Sequence, residues 1–428
     1  MALKQISTLS LTVATLTSVL SAAVRAENWP GFRGPTGQGI SSETNLPAEW
    51  DKEKNIAWTV ALSGEGHSSP IVWKKHVFLT AAFDDGTSCH VLAFDRDSGK
   101  KLWDVEVFKQ DTPRKQERNS LATPTPVTGG QRVYAFFGGG GAAAVDFSGQ
   151  IAWTNTDNHF YSQHGLGASP ILYKDLLLMP WDHSIKDGPD LKIGWQTAWD
   201  KSYVWALDKN TGKERYKAMR GMSRIGHMTP KVVSVEGKPQ LVSAGGDTVG
   251  GFDPDTGERI WWVRSGGEGV TPSPVFGDGV VYTSSGFPTN EPYAAIRAFR
   301  LGGKGEVTKQ NLLWEQKKGV PMIPSLLLAD GLLYSVTERG VLQCMEPSTG
   351  EIVYSHRVEG TYSASPLFAD GRIYLLNDNG DTTVIRPGRE YKELNRNEIG
   401  EPTQASIAVS GGHLFIRTAG HLYCIGKI

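Results

Sequence analysis

One short stretch constrains the fold of this chain more than any other feature, because it recurs. Val91-Leu92-Ala93-Phe94-Asp95-Arg96-Asp97-Ser98-Gly99 reads as the end of a strand and a tight turn, and it runs on to Trp103. Ala206-Leu207-Asp208-Lys209-Asn210-Thr211-Gly212 runs on to Tyr216. Gly251-Phe252-Asp253-Pro254-Asp255-Thr256-Gly257 runs on to Trp261, and Cys344-Met345-Glu346-Pro347-Ser348-Thr349-Gly350 to Tyr354. Each aromatic lies four residues after its Gly. Ala144-Val145-Asp146-Phe147-Ser148-Gly149 is one residue shorter and still places Trp153 four after its Gly. Repeats of this kind decide the fold before any local reading does.

The small residue of the stretch serves as a register mark. It is Ala93, Ala144, Ala206, Gly251, Ala298, Cys344, Val384 and Cys424, spaced about 40 to 62 residues apart. A second mark opens each unit: Ser69-Pro70, Thr125-Pro126, Ser169-Pro170, Thr229-Pro230, Ser273-Pro274 and Ser365-Pro366, with Ser325-Leu326 and Ser406-Ile407 in the remaining slots. An apolar run follows, then a turn such as Asp370-Gly371, Asp330-Gly331 or Asp278-Gly279, then a second run. Asp-Gly between two β-rich runs predicts a hairpin. Each unit therefore reads as four antiparallel strands, which is one propeller blade. The fold class is all-β: an eight-bladed β-propeller over residues 55–428. The last unit stops after three strands. Asn55 to Val60, which carries Trp58, is expected to supply its outer strand and close the ring.

Composition agrees with many short strands and tight turns. Of 428 residues, 50 are Gly and only 21% are charged. A net charge of -1 and the lack of a long basic run exclude nucleic acid as a partner. Residues 1–26 read as a signal peptide, with Lys4 before a mildly apolar run from Ile6 to Leu20 and Ala26 or Ala23 at the cleavage point. No Cys follows, so neither a lipid anchor nor a membrane anchor is expected after cleavage. The expected location is periplasmic or secreted, and a monomer is expected. Residues 27–54, rich in Gly and Pro, are expected to wrap the outside of the propeller. Cys89, Cys344 and Cys424 are an odd number, which argues against a disulfide framework.

The repeated Ala-x-Asp-x-x-Thr-Gly-x-x-x-Trp pattern resembles the tryptophan-docking motif of PQQ-like (quinoprotein-type) β-propellers. Trp29-Pro30-Gly31-Phe32-Arg33-Gly34 and Gly66-His67-Ser68-Ser69-Pro70 are similar to stretches in secreted, planctomycete-type members of that family, which mostly lack an assigned activity. The resemblance implies that Trp58, Trp103, Trp153, Tyr216, Trp261, Trp314 and Tyr354 dock against the neighbouring blade. Blade seven, around Tyr391 to Leu394, lacks a clear copy. The Asp of each turn can accept N–H groups of the turn itself, and its Gly can take positive φ. Asp95-x-Asp97-x-Gly99 is therefore read as a turn rather than a calcium loop, since the closing Glu is missing.

Ligands of a propeller bind where its innermost strands converge. Residues two before each strand-start mark form a candidate ring: His67, Thr123, Gly167, His227, Thr271, Ile323, Ser363 and Gln404. Arg118, Asn119, His164, Arg224, Glu268 and Tyr362 lie close by in sequence. The connection Phe108 to Leu121 and the Trp-rich insertion Asp182 to Ser202 are long enough to carry function. No metal-binding spacing of the His-Glu-x-x-His kind occurs and no catalytic residue is assigned. The resemblance to quinoprotein dehydrogenases implies PQQ with Ca²⁺ as a cofactor, yet the adjacent Cys pair of those enzymes is missing. The main expectation is a binding or scaffold module for an unidentified protein or small-molecule ligand. The alternative is a PQQ-dependent or carbohydrate-active periplasmic enzyme.

Overall fold

The Asp-Gly pairs form the turns the sequence predicts. Asp278, Asp330 and Asp370 have φ of 49, 51 and 49°, and the glycines after them 74, 73 and 66°. Two successive left-handed residues match the twist of the strands they join. Around such turns the computed structural model, which describes residues 27–267, 270–285 and 294–427, builds eight sheets. Residues 1–26, read above as a leader, lie outside the described residues. Blade six is representative, with Leu327–Ala329, Leu332–Val336, Val341–Met345 and Ile352–Arg357 paired in that order. Blade eight joins Ala408–Ser410, His413–Arg417 and His421–Ile425 to Ile56–Ala61, which pairs antiparallel with His421–Ile425. The chain is an eight-bladed β-propeller.

The register mark has a structural meaning. Ala93 faces Trp103 across the third and fourth strands, Ala144 faces Trp153, Ala206 faces Tyr216 and Ala298 faces Trp314. A bulge follows each of these pairs. The small residue leaves room for the ring opposite it, and the bulge twists the outer strand. The ring nitrogens then reach the next blade. Trp58 donates to Arg96 O at 2.9 Å, Trp103 to Phe147 O at 3.0 Å, Trp153 to Lys209 O at 2.9 Å and Trp314 to Pro347 O at 2.8 Å. Tyr216 Oη donates to Pro254 O at 2.5 Å. Each acceptor directly follows the acidic residue of a repeat turn, an Asp in four of the five and Glu346 in the turn that receives Trp314. In the first of these turns Asp95 Oδ1 accepts from the N–H groups of Asp97 and Ser98 and from the Ser98 hydroxyl, so its carboxylate is occupied by its own loop.

Two aromatic positions behave otherwise. Trp261 turns back into its own blade and donates to Gln240 Oε1 at 2.7 Å. Blade five has no Asp-x-x-Thr-Gly turn to receive it. Instead Gly305–Glu306 adds a short parallel strand to the edge of blade four, with Gly305 beside Trp261. Tyr354 packs on Tyr391 at 6.3 Å, and its hydroxyl has no partner among the described residues.

The strand-start marks form a belt. Ser69 N donates to Thr125 Oγ1, Thr125 N to Ser169 Oγ, Ser169 N to Thr229 Oγ1 and Thr229 N to Ser273 Oγ, each at 3.0 Å. The series continues through Ser325, Ser365 and Ser406, and Ser406 N donates to Ser69 Oγ at 3.0 Å. One hydroxyl per blade thus receives the N–H of the blade before it, around the whole axis. Ser325 and Ser406 keep the hydroxyl where the Pro is lost, which marks the hydroxyl as the part the belt needs.

Segment 27–54 does more than line the exterior. Trp29 bridges Val72 in blade one, and Pro30 O accepts from Thr128 N in blade two. Arg33 Nη2 donates to Leu326 O beside blade six, Gln38 exchanges two bonds with the Phe276 backbone in blade five, and Gly39 and Ser41 bond the Phe368 backbone in blade seven. Blades two and six are opposite in a ring of eight, so this stretch crosses the axis. Residues 46–50 then lie along blade seven.

Candidate functional site

Crossing the axis gives the central channel a floor. Above it lies a cavity of about 550 Å³. His67, Thr123, Gly167, His227, Thr271, Ile323, Ser363 and Gln404 all line it, so each of the eight positions two before the strand-start marks faces the axis. The eight belt residues line it one step deeper, and Phe32 reaches it from the crossing segment. Arg118, Asn119 and His164 complete the wall. Two expected neighbours are placed differently. Arg224 is held bidentately by Asp247, with Nη2 to Oδ1 at 2.6 Å, and is not part of the wall. Tyr362 is buried between blades and donates to Glu359 O at 2.8 Å. Glu268 lies outside the described residues.

The rim is built by the two long connections. Asn119 Nδ2 donates to His164 O at 2.7 Å, and Gln116 N donates to the same carbonyl at 3.1 Å. The insertion after blade three's second strand is anchored by Asp182, which pairs with Arg220 at 2.6 Å and accepts from Gly226 N at 3.0 Å. Both charges are buried, and removing either would leave the other uncompensated. Trp195 of the insertion meets the His164 ring edge-on at 5.8 Å, and His164 meets His227 at 5.9 Å. This aromatic rim was visible in sequence only as a Trp-rich insertion.

Burial favours the neutral form of the imidazoles. Burial pushes His227 down to about 3, helped by His164. Burial and then the Arg417 guanidinium push His67 down to about 4. Burial and then Arg114 lower His164. His227 is 8% exposed, and neither its Nε2 nor His67 Nδ1 has a partner among the described residues. Because an unfolded His titrates near 6.5, the unfolded chain takes up protons first as pH falls. The stability these groups contribute is present above pH 6.5 and is lost as pH falls toward about 4. The melting temperature is expected to decline over that window, and His227→Gln to flatten the decline. Superimposable pH curves for the two proteins would contradict this.

Calcium does not fit this wall. Ca²⁺ takes six to eight oxygen ligands, with carboxylates foremost. Among the described lining residues there is no carboxylate; the donors are imidazoles, one guanidinium, amides and hydroxyls. No group of three or more His, Cys, Asp or Glu that could hold a metal occurs among the described residues.

A second polar cluster escaped the sequence reading. In blade one Ser88 Oγ lies 2.9 Å from His90 Nε2, and His90 Nδ1 lies 2.7 Å from Asp104 Oδ1. The distances match a Ser-His-Asp relay, but the setting does not. Ser88 is 1% exposed, sits within the sheet and also donates to Glu106. A nucleophile needs an approach path and oxyanion donors, so this cluster is a cross-strand network rather than a reaction centre.

Comparison with known proteins places this geometry. A family model described as "Outer membrane protein assembly factor BamB" matches residues 40–160, 200–299 and 304–390, well over half of the chain. No curated protein matches. Among solved structures, BamB from Moraxella catarrhalis is similar at a TM-score of 0.59 with 13% identity, covering 87% of this chain and 97% of that one. The computationally designed Ika8 protein gives 0.57 with 13% identity, covering 91% and 99%. A europium-containing methanol dehydrogenase gives 0.55 with 11% identity, covering 94% and 98%. At these identities the structures attest the fold alone. With repeats, eight blades and the family match in agreement, the chain belongs to the PQQ-like β-propeller family that carries the BamB assembly-factor description.

Proposed function

We propose that this chain is an exported binding module that holds a small polar molecule in its axial cup. Export rests on the leader-like residues 1–26. The observation that carries the binding reading is the cup itself: about 550 Å³, walled by all eight blades and floored by Phe32. Ligand sites are commonly clefts of roughly 300–1,000 Å³ with a few convergent polar groups. Fold alone does not choose a role, since the similar structures include an assembly factor and a dehydrogenase. The wall favours binding over chemistry: burial holds His67 and His227 well below the usual imidazole range, so neither is tuned to take up a proton near neutral pH.

Thermal-shift screening tests the reading. The library should span sugars, sugar acids, nucleotides and short peptides. His227→Trp is the control, because the larger ring fills the cup from one wall. Compounds that raise the melting temperature of the native protein and not of the variant support the proposal. Equal stabilisation of both proteins, or silence across the library, sinks it.

A further inference from the structure

The belt leaves a specific chemical imbalance in the cup. A serine or threonine hydroxyl has one O–H to donate and lone pairs to accept with. In each of the eight belt residues the oxygen accepts a backbone N–H from the blade before. None of the eight O–H groups has an acceptor among the described residues. A ring of donors therefore lines the cavity, and no carboxylate among the described lining residues answers them.

Charge points the same way. Most well-buried guanidiniums here have a carboxylate: Arg220 has Asp182, Arg224 has Asp247 and Arg297 has Glu315. The two that flank the cup have none within ion-pair distance among the described residues. Arg33, next to Phe32 of the floor, donates among the described residues only to the carbonyls of Gln38 and Leu326. Arg417, behind His67, donates to the Ser68 hydroxyl and to the carbonyls of Ser68 and Thr80. Asp378 faces Arg417 only across a small side void of about 150 Å³. Burial lowers both guanidiniums to about 9, so they remain cationic at neutral pH. Arg118 adds an exposed cation at the mouth. Buried charge without a partner is costly, and an anion in the cup would offset that cost.

We infer that the axial cup selects an oxyanion-bearing ligand, a carboxylate or a phosphate, over neutral molecules of the same shape. The inference rests on the binding reading above and names its ligand class. Charge-assisted bonds from hydroxyl and guanidinium donors to an oxyanion are stronger than neutral ones.

A matched pair tests it. D-gluconate and D-glucitol share a six-carbon polyol chain and differ in one terminal carboxylate. Calorimetric titration of the full protein at constant ionic strength should give gluconate at least about tenfold tighter binding than glucitol. Inorganic phosphate run in parallel distinguishes a phosphate site from a carboxylate site. Arg118→Gln, at the exposed mouth and outside the folded core, should weaken the anion several-fold and glucitol much less, narrowing the gap between them. Crystals soaked in selenate should place anomalous density inside the belt. If glucitol binds as tightly as gluconate, the anion inference fails and the cup stands as a neutral-ligand site. If neither polyol nor phosphate binds and selenate stays outside, both readings fall.

Discussion

Trp153→Ala is expected to lower the unfolding free energy by about 3–5 kcal/mol, the usual cost of emptying a large aromatic site. The ring is 9% exposed and lies 6.1 Å from Tyr134. Its N–H reaches Lys209 O in the turn of the next blade, and a Cβ on Gly212 of that turn would come within 2.5 Å of the ring. Gly212, at φ 72°, therefore serves twice: it permits the turn and lets the indole lie flat on it. A tryptophan in such a position buries on the order of 150–250 Å². At roughly 25 cal/mol per Å² that is about 4–6 kcal/mol, an upper figure because an unfolded chain also buries some surface. Loss of the indole also leaves Lys209 O without its donor. Denaturant titration should show a lower midpoint with an unchanged slope. A loss below about 1 kcal/mol would mean that this ring does not hold blades two and three together.

Much of the propeller was legible in the sequence because each blade repeats the same physics. The small register residue, the aromatic opposite it and the Asp-turn that receives the aromatic are all local in sequence, so their period can be counted. The axial positions were legible for the same reason: His67 and His227 occupy one slot of the repeat, and the structure brings that slot to the axis in every blade. What stayed hidden depends on contacts between distant residues. Ser and Thr at the strand starts served in the sequence only as marks that open each unit, and their role as acceptors from the previous blade needs the ring to be assembled. Arg224 lies near the axis in sequence, yet Asp247, across a hairpin, takes it away. Trp261 carries the docking motif, but the motif's receiver is missing one blade later. The crossing of residues 29–41 could not be read at all, since nothing local says which side of a ring a Gly-rich segment will take.

Blade seven supplies the second large prediction: Trp50→Ala should destabilise the protein by about 3–5 kcal/mol, as much as removing a repeat tryptophan. The register mark Val384 faces Asn395, where other blades have an aromatic. In those blades the docking ring packs beside an aromatic of the second strand, as Trp103 does with Phe78 and Trp314 with Tyr282. The equivalent residue in blade seven is Tyr374, and the ring stacked on it, at 6.3 Å and 22°, is Trp50. Trp50 is 2% exposed and comes from the N-terminal segment, some three hundred residues away in sequence. The segment is held for this purpose by a set of asparagine bonds: Asn397 Oδ1 accepts from Trp50 N at 3.0 Å, and the side chains of Asn395 and Asn397 both donate to Ala48 O at 3.1 Å. Tyr374 Oη adds a bond to Pro47 O at 3.2 Å. Asn395 thus does not fail to be a tryptophan; it fastens the strand that brings one. Because the Trp50 indole N–H has no partner among the described residues, Trp50→Phe keeps the packing and removes an unsatisfied donor, and should cost less than about 1.5 kcal/mol. Melting both variants beside Trp153→Ala decides the matter. Equal, small losses for Trp50→Ala and Trp50→Phe would show that segment 46–50 rests on blade seven without holding it.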